Sequence, residues 1–227
     1  MAQNEAKKTD NFEQIEDALS RSEQFIEKNQ KMLSYSIIGI LIVAVIVLAY
    51  QKYVKEPQKE EAVDQMFMAQ KYFERDSFKL ALNGDGNALG FLEIAERYGS
   101  TPSGNLSNYY IGLCYLYTGE YENAVKYLQK FSSRDFLIAN MAIANIGDAY
   151  MQSGKFKEAA QAYIKAASAK TNNFSTPNFL FKAGFAYEKN GDKDAALKAY
   201  ERIEKEFPNS IEARDIEKYI TRAKFGK

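Results

Sequence analysis

Five positions recur in register three times along this chain, and no other feature constrains its fold as tightly. The copies read Gly112, Tyr115, Gly119, Ala124, Leu128, then Gly147, Tyr150, Gly154, Ala159, Tyr163, and last Gly184, Tyr187, Gly191, Ala196, Tyr200. In each copy a small residue and an aromatic three apart share one face of a first helix. An Ala and a large residue four apart share one face of a second. The glycine between them ends the first helix, because left-handed backbone costs least at glycine. The unit is a helical hairpin, and a period of about 35 residues means a stack of hairpins, each burying its apolar face against the next. Gly112, Gly147 and Gly184 with Ala124, Ala159 and Ala196 allow close approach, while Tyr115, Tyr150 and Tyr187 fill the volume beside them. Lys193 stands where Tyr121 and Phe156 stand in the earlier copies, so the last turn loses an apolar anchor.

The ends of the array are less regular. Phe207-Pro208-Asn209-Ser210 reads as a stop followed by a new start, with Asn209 as N-cap of a helix from about Ile211 to Ala223. That helix buries Ala213, Ile216 and Ile220 and serves as the solvating cap that an open-ended stack needs. Upstream, Gln65 to Glu74 repeats the first-helix spacing with Ala69 and Tyr72, and Phe91 to Tyr98 reads as its partner. Extra chain through Asn83-Gly84-Asp85-Gly86-Asn87 and Gly90 separates them. It is read as a flexible turn and not as a calcium loop.

Met32 to Tyr50 holds no charged residue and, apart from Ser34, Tyr35, Ser36, Gly39 and Tyr50, is Leu, Ile, Val, Ala and Met, with Val54 extending it. At 1.5 Å per residue such a stretch nearly spans a hydrocarbon core of about 30 Å. The residues before it are numerous and acidic, and no small-x-small site follows, so the stretch reads as an uncleaved anchor over 32–54 and not as a signal peptide. Arg21, Lys28 and Lys31 on one flank balance Lys52, Lys55 and Lys59 on the other, so the positive-inside rule leaves orientation open. Residues 1–31 form a juxtamembrane segment, cytoplasmic in an N-in arrangement. There Phe12, Ile15, Leu19, Ser22, Ile26 and Asn29 make a thin heptad-like stripe, readable as a pairing helix or as a solvated one.

Much chemistry is missing. The chain has no histidine and one cysteine, and its 30 basic residues match its 30 acidic ones. The commonest general base is gone, a zinc cluster and an internal disulfide cannot form, and no basic excess suits nucleic acid. Cys114, between Leu113 and Tyr115, reads as a small buried hydrophobe. No phosphate loop, nucleophile elbow or dinucleotide fingerprint occurs. The expectation is a binding protein with no cofactor, no metal and no catalytic step.

The repeated positions resemble the tetratricopeptide repeat (TPR), a family with a small residue and an aromatic on helix A and an Ala and an aromatic on helix B. The resemblance implies an all-α fold. A single transmembrane helix precedes a TPR α-solenoid of three regular repeats over 105–208, a degenerate first repeat with an insertion over 57–104, and a capping helix and tail over 209–227. It also implies a concave groove lined by helix A. The matching positions are Leu106, Tyr109, Leu113, Leu116 and Tyr117, then Met141, Ala144, Asp148, Met151 and Gln152, then Asn178, Phe181, Phe185, Glu188 and Lys189. Such a groove is largely apolar and aromatic. It suits an amphipathic helix, an extended hydrophobic segment, or the protein's own N-terminal chain. Some TPR domains clamp an acidic chaperone C-terminus with Lys and Asn of the first repeat; here Tyr109 and Leu113 hold those places, although Asn145 and Lys182 partly fit.

The order of parts resembles the YfgM family of bacterial inner-membrane proteins. That resemblance implies a periplasmic scaffold, associated with the protein-export translocon and with chaperones, that receives or hands on secreted proteins. A cytosol-facing receptor and a homo-oligomeric envelope assembly factor are the alternatives.

Overall fold

The computed structural model describes residues 2–226, and of residues 2–24 and 26 the backbone alone. The side chains of Phe12, Ile15, Leu19, Ser22 and Ile26, which carry the heptad-like stripe, lie outside the described residues. The chain divides into two compact units, Met1–Pro57 and Gln58–Lys227.

The first unit is a helix, α1 (Ala2–Tyr50), followed by a π-helical turn over Gln51–Lys55. Its large apolar side chains from Met32 to Val54 are exposed, apart from the half-buried Leu33. The helix is long and apolar enough to cross a membrane.

The second unit is helical throughout. Its helices are α2 (Glu56–Glu74), α3 (Phe78–Asn83), α4 (Phe91–Arg97), α5 (Pro102–Tyr117), α6 (Tyr121–Lys130), α7 (Phe136–Gln152), α8 (Phe156–Ala169), α9 (Thr176–Lys189), α10 (Lys193–Glu206) and α11 (Ile216–Phe225). From α4 to α11 each helix packs on the next. The pairs α5/α6, α7/α8 and α9/α10 are the three regular hairpins.

Local chemistry sets the boundaries. Thr101 Oγ1 accepts the Gly104 N–H at 3.1 Å, Asp135 the Leu137 N–H at 2.8 Å and Asp192 the Ala195 N–H at 3.0 Å, capping α5, α7 and α10. Pro102 opens α5, where a missing N–H costs nothing. At the other end of each first helix the same closure recurs. The N–H groups of Glu120, Lys155 and Asp192 reach back to the carbonyls of Tyr115, Tyr150 and Tyr187 at 2.8, 2.9 and 2.9 Å. Gly119, Gly154 and Gly191 sit between at φ 82°, 75° and 81°. This is the six-to-one hydrogen bond of a Schellman turn, and it needs a left-handed residue at that position.

The first glycine of each copy makes room for a side chain. A Cβ on Gly112 would lie 2.5 Å from Leu128 Cγ and one on Gly147 2.6 Å from the Tyr163 ring; on Gly184 it would enter the Tyr200 ring. Helix A therefore accepts the large residue that closes the same copy on helix B. Two apolar cores result. One joins Met66, Phe91, Ile94, Ile111 and Cys114; the other joins Tyr163, Leu180, Tyr200, Ile203 and Ile216. Burial pushes the Cys114 thiol up to about 12, so at neutral pH it is a protonated, unreactive filler.

The helix A elements run side by side, which gives the solenoid two distinct edges. Near its start α2 places Glu61 against Tyr98, whose phenol pKa is raised by burial and then by that hydrogen bond. Near its end Phe73 meets Tyr117 at 6.1 Å between ring centroids. At the edge where helix A begins, Asn105 Nδ2 donates to the Ser132 carbonyl at 2.7 Å and its Oδ1 accepts the Ser132 N–H at 3.1 Å. Asn140 Nδ2 approaches the Lys170 carbonyl at 3.5 Å in the same role. Each Asn lies seven residues before the first Gly of its copy, a sixth repeated position. The third copy has Pro177 there.

Two irregular parts differ from the sequence expectation. The segment after Pro208 is capped by Ser210, whose Oγ accepts the Ala213 N–H at 3.2 Å, and Glu212–Asp215 forms a 3-10 turn before α11 begins. Ser210, not Asn209, is three residues from the first free N–H. The insertion is ordered as well. Asp85 accepts the N–H groups of Asn87 and Ala88 at 2.9 and 2.7 Å and the Tyr72 hydroxyl at 2.8 Å. The Ala88 N–H, then the Tyr72 hydroxyl and the Asn87 N–H, hold its carboxyl below the usual range.

Candidate binding groove

The positions assigned to the groove fall into three groups by exposure. Tyr117, Met141 and Phe185 are exposed; Leu106, Tyr109, Leu116, Met151 and Phe181 are half-buried; Leu113 is buried. Leu113 is therefore covered and offers little surface to a partner. Tyr117 stacks on Phe78 at 5.0 Å, so the inserted helix α3 contributes to this end of the surface. Tyr109 lies 5.2 Å from Phe131, and its hydroxyl accepts from Asn145 Nδ2 at 3.1 Å. Burial raises its pKa. Phe181 turns its edge to Tyr219 at 4.8 Å and thereby helps seat α11.

Beyond Tyr109 the floor is polar, in contrast to the largely apolar groove that the sequence suggests. Asp148 Oδ1 accepts the Tyr163 hydroxyl at 2.6 Å and Lys182 Nζ at 2.8 Å. Glu188 accepts the Tyr200 hydroxyl at 3.1 Å and both ends of the Arg222 fork, with Nε to Oε1 at 2.9 Å. The arrangement repeats: a tyrosine from helix B, a carboxylate from its own helix A, and a cation from the next element. Burial, then the neighbouring carboxylate, raises the pKa of Tyr163 and of Tyr200. A signal for this row is present in the chain. Copies two and three close on Tyr163 and Tyr200 where copy one closes on Leu128, and a buried phenol needs a partner. Lys189 lies 5.4 Å from the Phe185 ring centroid, above a shallow depression of about 300 Å³ shared with Glu188, Lys193 and Arg222.

The surface thus mixes two kinds of side chain: apolar ones at Leu116 and Tyr117 on α5, Met141 on α7 and Phe185 on α9, and the bonded charges of Asp148 with Lys182 and of Glu188 with Arg222. No group of three or more potential metal ligands occurs among the described residues. The insertion comes closer to a calcium loop than the sequence reading allowed, since Glu96 is the twelfth residue counted from Asp85. Leu89 holds the fifth place without a side-chain ligand atom, and the Asp85 oxygens are already engaged, Oδ1 by the Asn87 and Ala88 N–H groups and Oδ2 by the Tyr72 hydroxyl of α2.

Residues 145–211 and 107–135 each match a family model described as tetratricopeptide repeat. Residues 107–211 carry tetratricopeptide repeats. A TPR repeat-containing protein of Methanocaldococcus jannaschii is 30% identical over 164 residues, covering 71% of this chain and 26% of that protein. The chain therefore spans about a quarter of the length of this curated relative. A solved structure of a Podospora anserina putative kinesin light chain with TPR-like repeats superposes with a TM-score of 0.55 at 15% identity, covering 73% of this chain and 85% of that one. At that identity the likeness concerns the fold. TPR repeats indicate a protein-interaction scaffold.

Proposed function

We propose that this protein is a membrane-anchored TPR scaffold that holds segments of other proteins against helix A. One observation carries the reading. The residues that recur are consumed in packing, whereas Tyr117, Met141 and Phe185, which differ between copies at groove positions, stand exposed beside a bonded row of charges. Exposed apolar side chains among fixed charges suit an amphipathic helix or an extended segment with apolar and polar residues.

In this reading α1 anchors the chain in a bacterial inner membrane and the TPR unit works in the periplasm beside the protein-export translocon, with secreted clients, translocon subunits or chaperones as occupants. The exposed apolar run of α1 supports the anchor, and the order of parts supports the setting through its resemblance to the YfgM family. Protease added to cells with a permeabilised outer membrane should remove the TPR unit. Protection of residues 58–227 would contradict this reading and favour a cytosol-facing receptor.

A further inference from the structure

Helix A of a regular repeat hides one stripe in the core it shares with the repeat before it. The residues one before and two after the first Gly lie on that stripe. Ile111 and Cys114 share a core with Phe91, and Ala183 and Ala186 share one with Tyr163. In α2, where Ala69 takes the place of that Gly, the same positions are Met68 and Lys71, and both are exposed. Beside them Val63 and Phe67 are 61% and 55% exposed, whereas Ala62, Met66 and Ala69 on the other side of α2 are buried. The stripe that a preceding repeat would cover is therefore open, with an apolar patch of Val63, Phe67 and Met68 at its middle. At the other end of the array α11 turns Glu217, Lys218 and Thr221 outward, as a solvated cap does.

Charge selects the occupant of the patch. Glu60 and Asp64 lie before Phe67 on this face, and Lys71 and, at the helix end, Arg75 lie after it; all four are exposed. Two copies of α2 laid antiparallel about a two-fold axis between positions 67 and 68 set Asp64 against Lys71 and Glu60 against Arg75, each twice. Phe67 then meets Met68 of the other copy at the centre, so the face is complementary to itself. A parallel pair would set each charge against its own kind. Among the other charges nearby, Glu61 is turned to Tyr98, Lys59 is half-buried, Asp76 lies past the end of the helix, and Glu74 alone stays unmatched. Lys71 Nζ stands 4.3 Å from the Phe67 ring centroid, which keeps the cation beside the ring that the second copy would cover.

We propose that the protein pairs with a second copy of itself through this face of α2, antiparallel, with Phe67 and Met68 at the axis. The inference concerns the second unit alone and does not depend on the membrane reading.

The test is the association of the full chain in a non-ionic detergent, followed as the molar mass of the protein by light scattering over a dilution series. Asp64→Lys and Lys71→Glu each turn two attractions into two repulsions, and each is expected to weaken the dimer about tenfold. The two together exchange the charges across the axis and should restore association to within about threefold of the parent chain. Phe67→Glu should abolish the dimer, and Glu217→Lys, on the outward side of α11, should leave it unchanged. All four side chains are exposed, and an unaltered thermal melt checks that each variant folds. A monomer at every concentration overturns the proposal, and so does a dimer indifferent to Phe67→Glu. Single reversals without effect, or a double variant no tighter than either single one, overturn it as well, because the charges named would then not face each other.

Discussion

At Gly184 two residue-scale effects oppose each other, and their sizes decide the outcome. Alanine in the middle of a helix gains roughly 1 kcal/mol over glycine. A Cβ at this position would enter the Tyr200 ring, which is fully buried and held through its hydroxyl by Glu188. Overpacking against a ring that cannot swing away costs about 1–3 kcal/mol, so the clash wins. Gly184→Ala is expected to lower the urea midpoint of unfolding; an unchanged or raised midpoint would show that the ring has room to move. The need for a small residue at Gly112, Gly147 and Gly184 is legible from the spacing alone. The object they make room for is not, because a spacing pattern shows which faces meet and not which atoms fill the interface. Asp148 and Glu188 were placed in the groove by the spacing, but their bonds were hidden for a related reason. On a helix they look like any solvated carboxylate until the hydroxyls of Tyr163 and Tyr200 are seen to reach them.

Among the elements, α11 takes the place of a further helix A. It covers the end of the core with Ile216, Ile220 and Ala223 and is fastened by Tyr219 on Phe181, by Lys193 on the Gly226 carbonyl, and by Arg222 on Glu188. Lys193 thus replaces the apolar anchor of the other turns with a bond to the cap. Glu188 is largely covered while Arg222 is half exposed, so the pair is worth more than a surface ion pair but well under a buried one. Arg222→Ala is expected to cost about 1 kcal/mol, concentrated where α11 docks. Amide exchange across 216–225 should accelerate while that of α5 and α6 stays unchanged. Equal acceleration in both regions would mean that the cap and the array open as one unit. The cap was readable from Pro208 and the apolar spacing after it. The ordered insertion was not: Phe78–Asn83 is too short for a helical period to show, and the glycines around Asp85 suggest looseness until the bonds to Asn87, Ala88 and Tyr72 are counted.

For the whole molecule, the division of labour follows from which residues repeat. Those that recur pack the array and set its turns. Those that differ fall on helix A, apolar at Tyr117, Met141 and Phe185 and charged at Asp148 and Glu188. The measurement that bears on this most directly is site-specific photocrosslinking in the chain as it occurs in cells. Photoreactive residues at Tyr117, Met141 and Phe185 would be compared with ones at Gln161 and Lys198, exposed positions on helix B elements. The account predicts capture of protein partners from the first three sites and little from the other two. Capture from Gln161 and Lys198, with none from Tyr117, Met141 or Phe185, would contradict it.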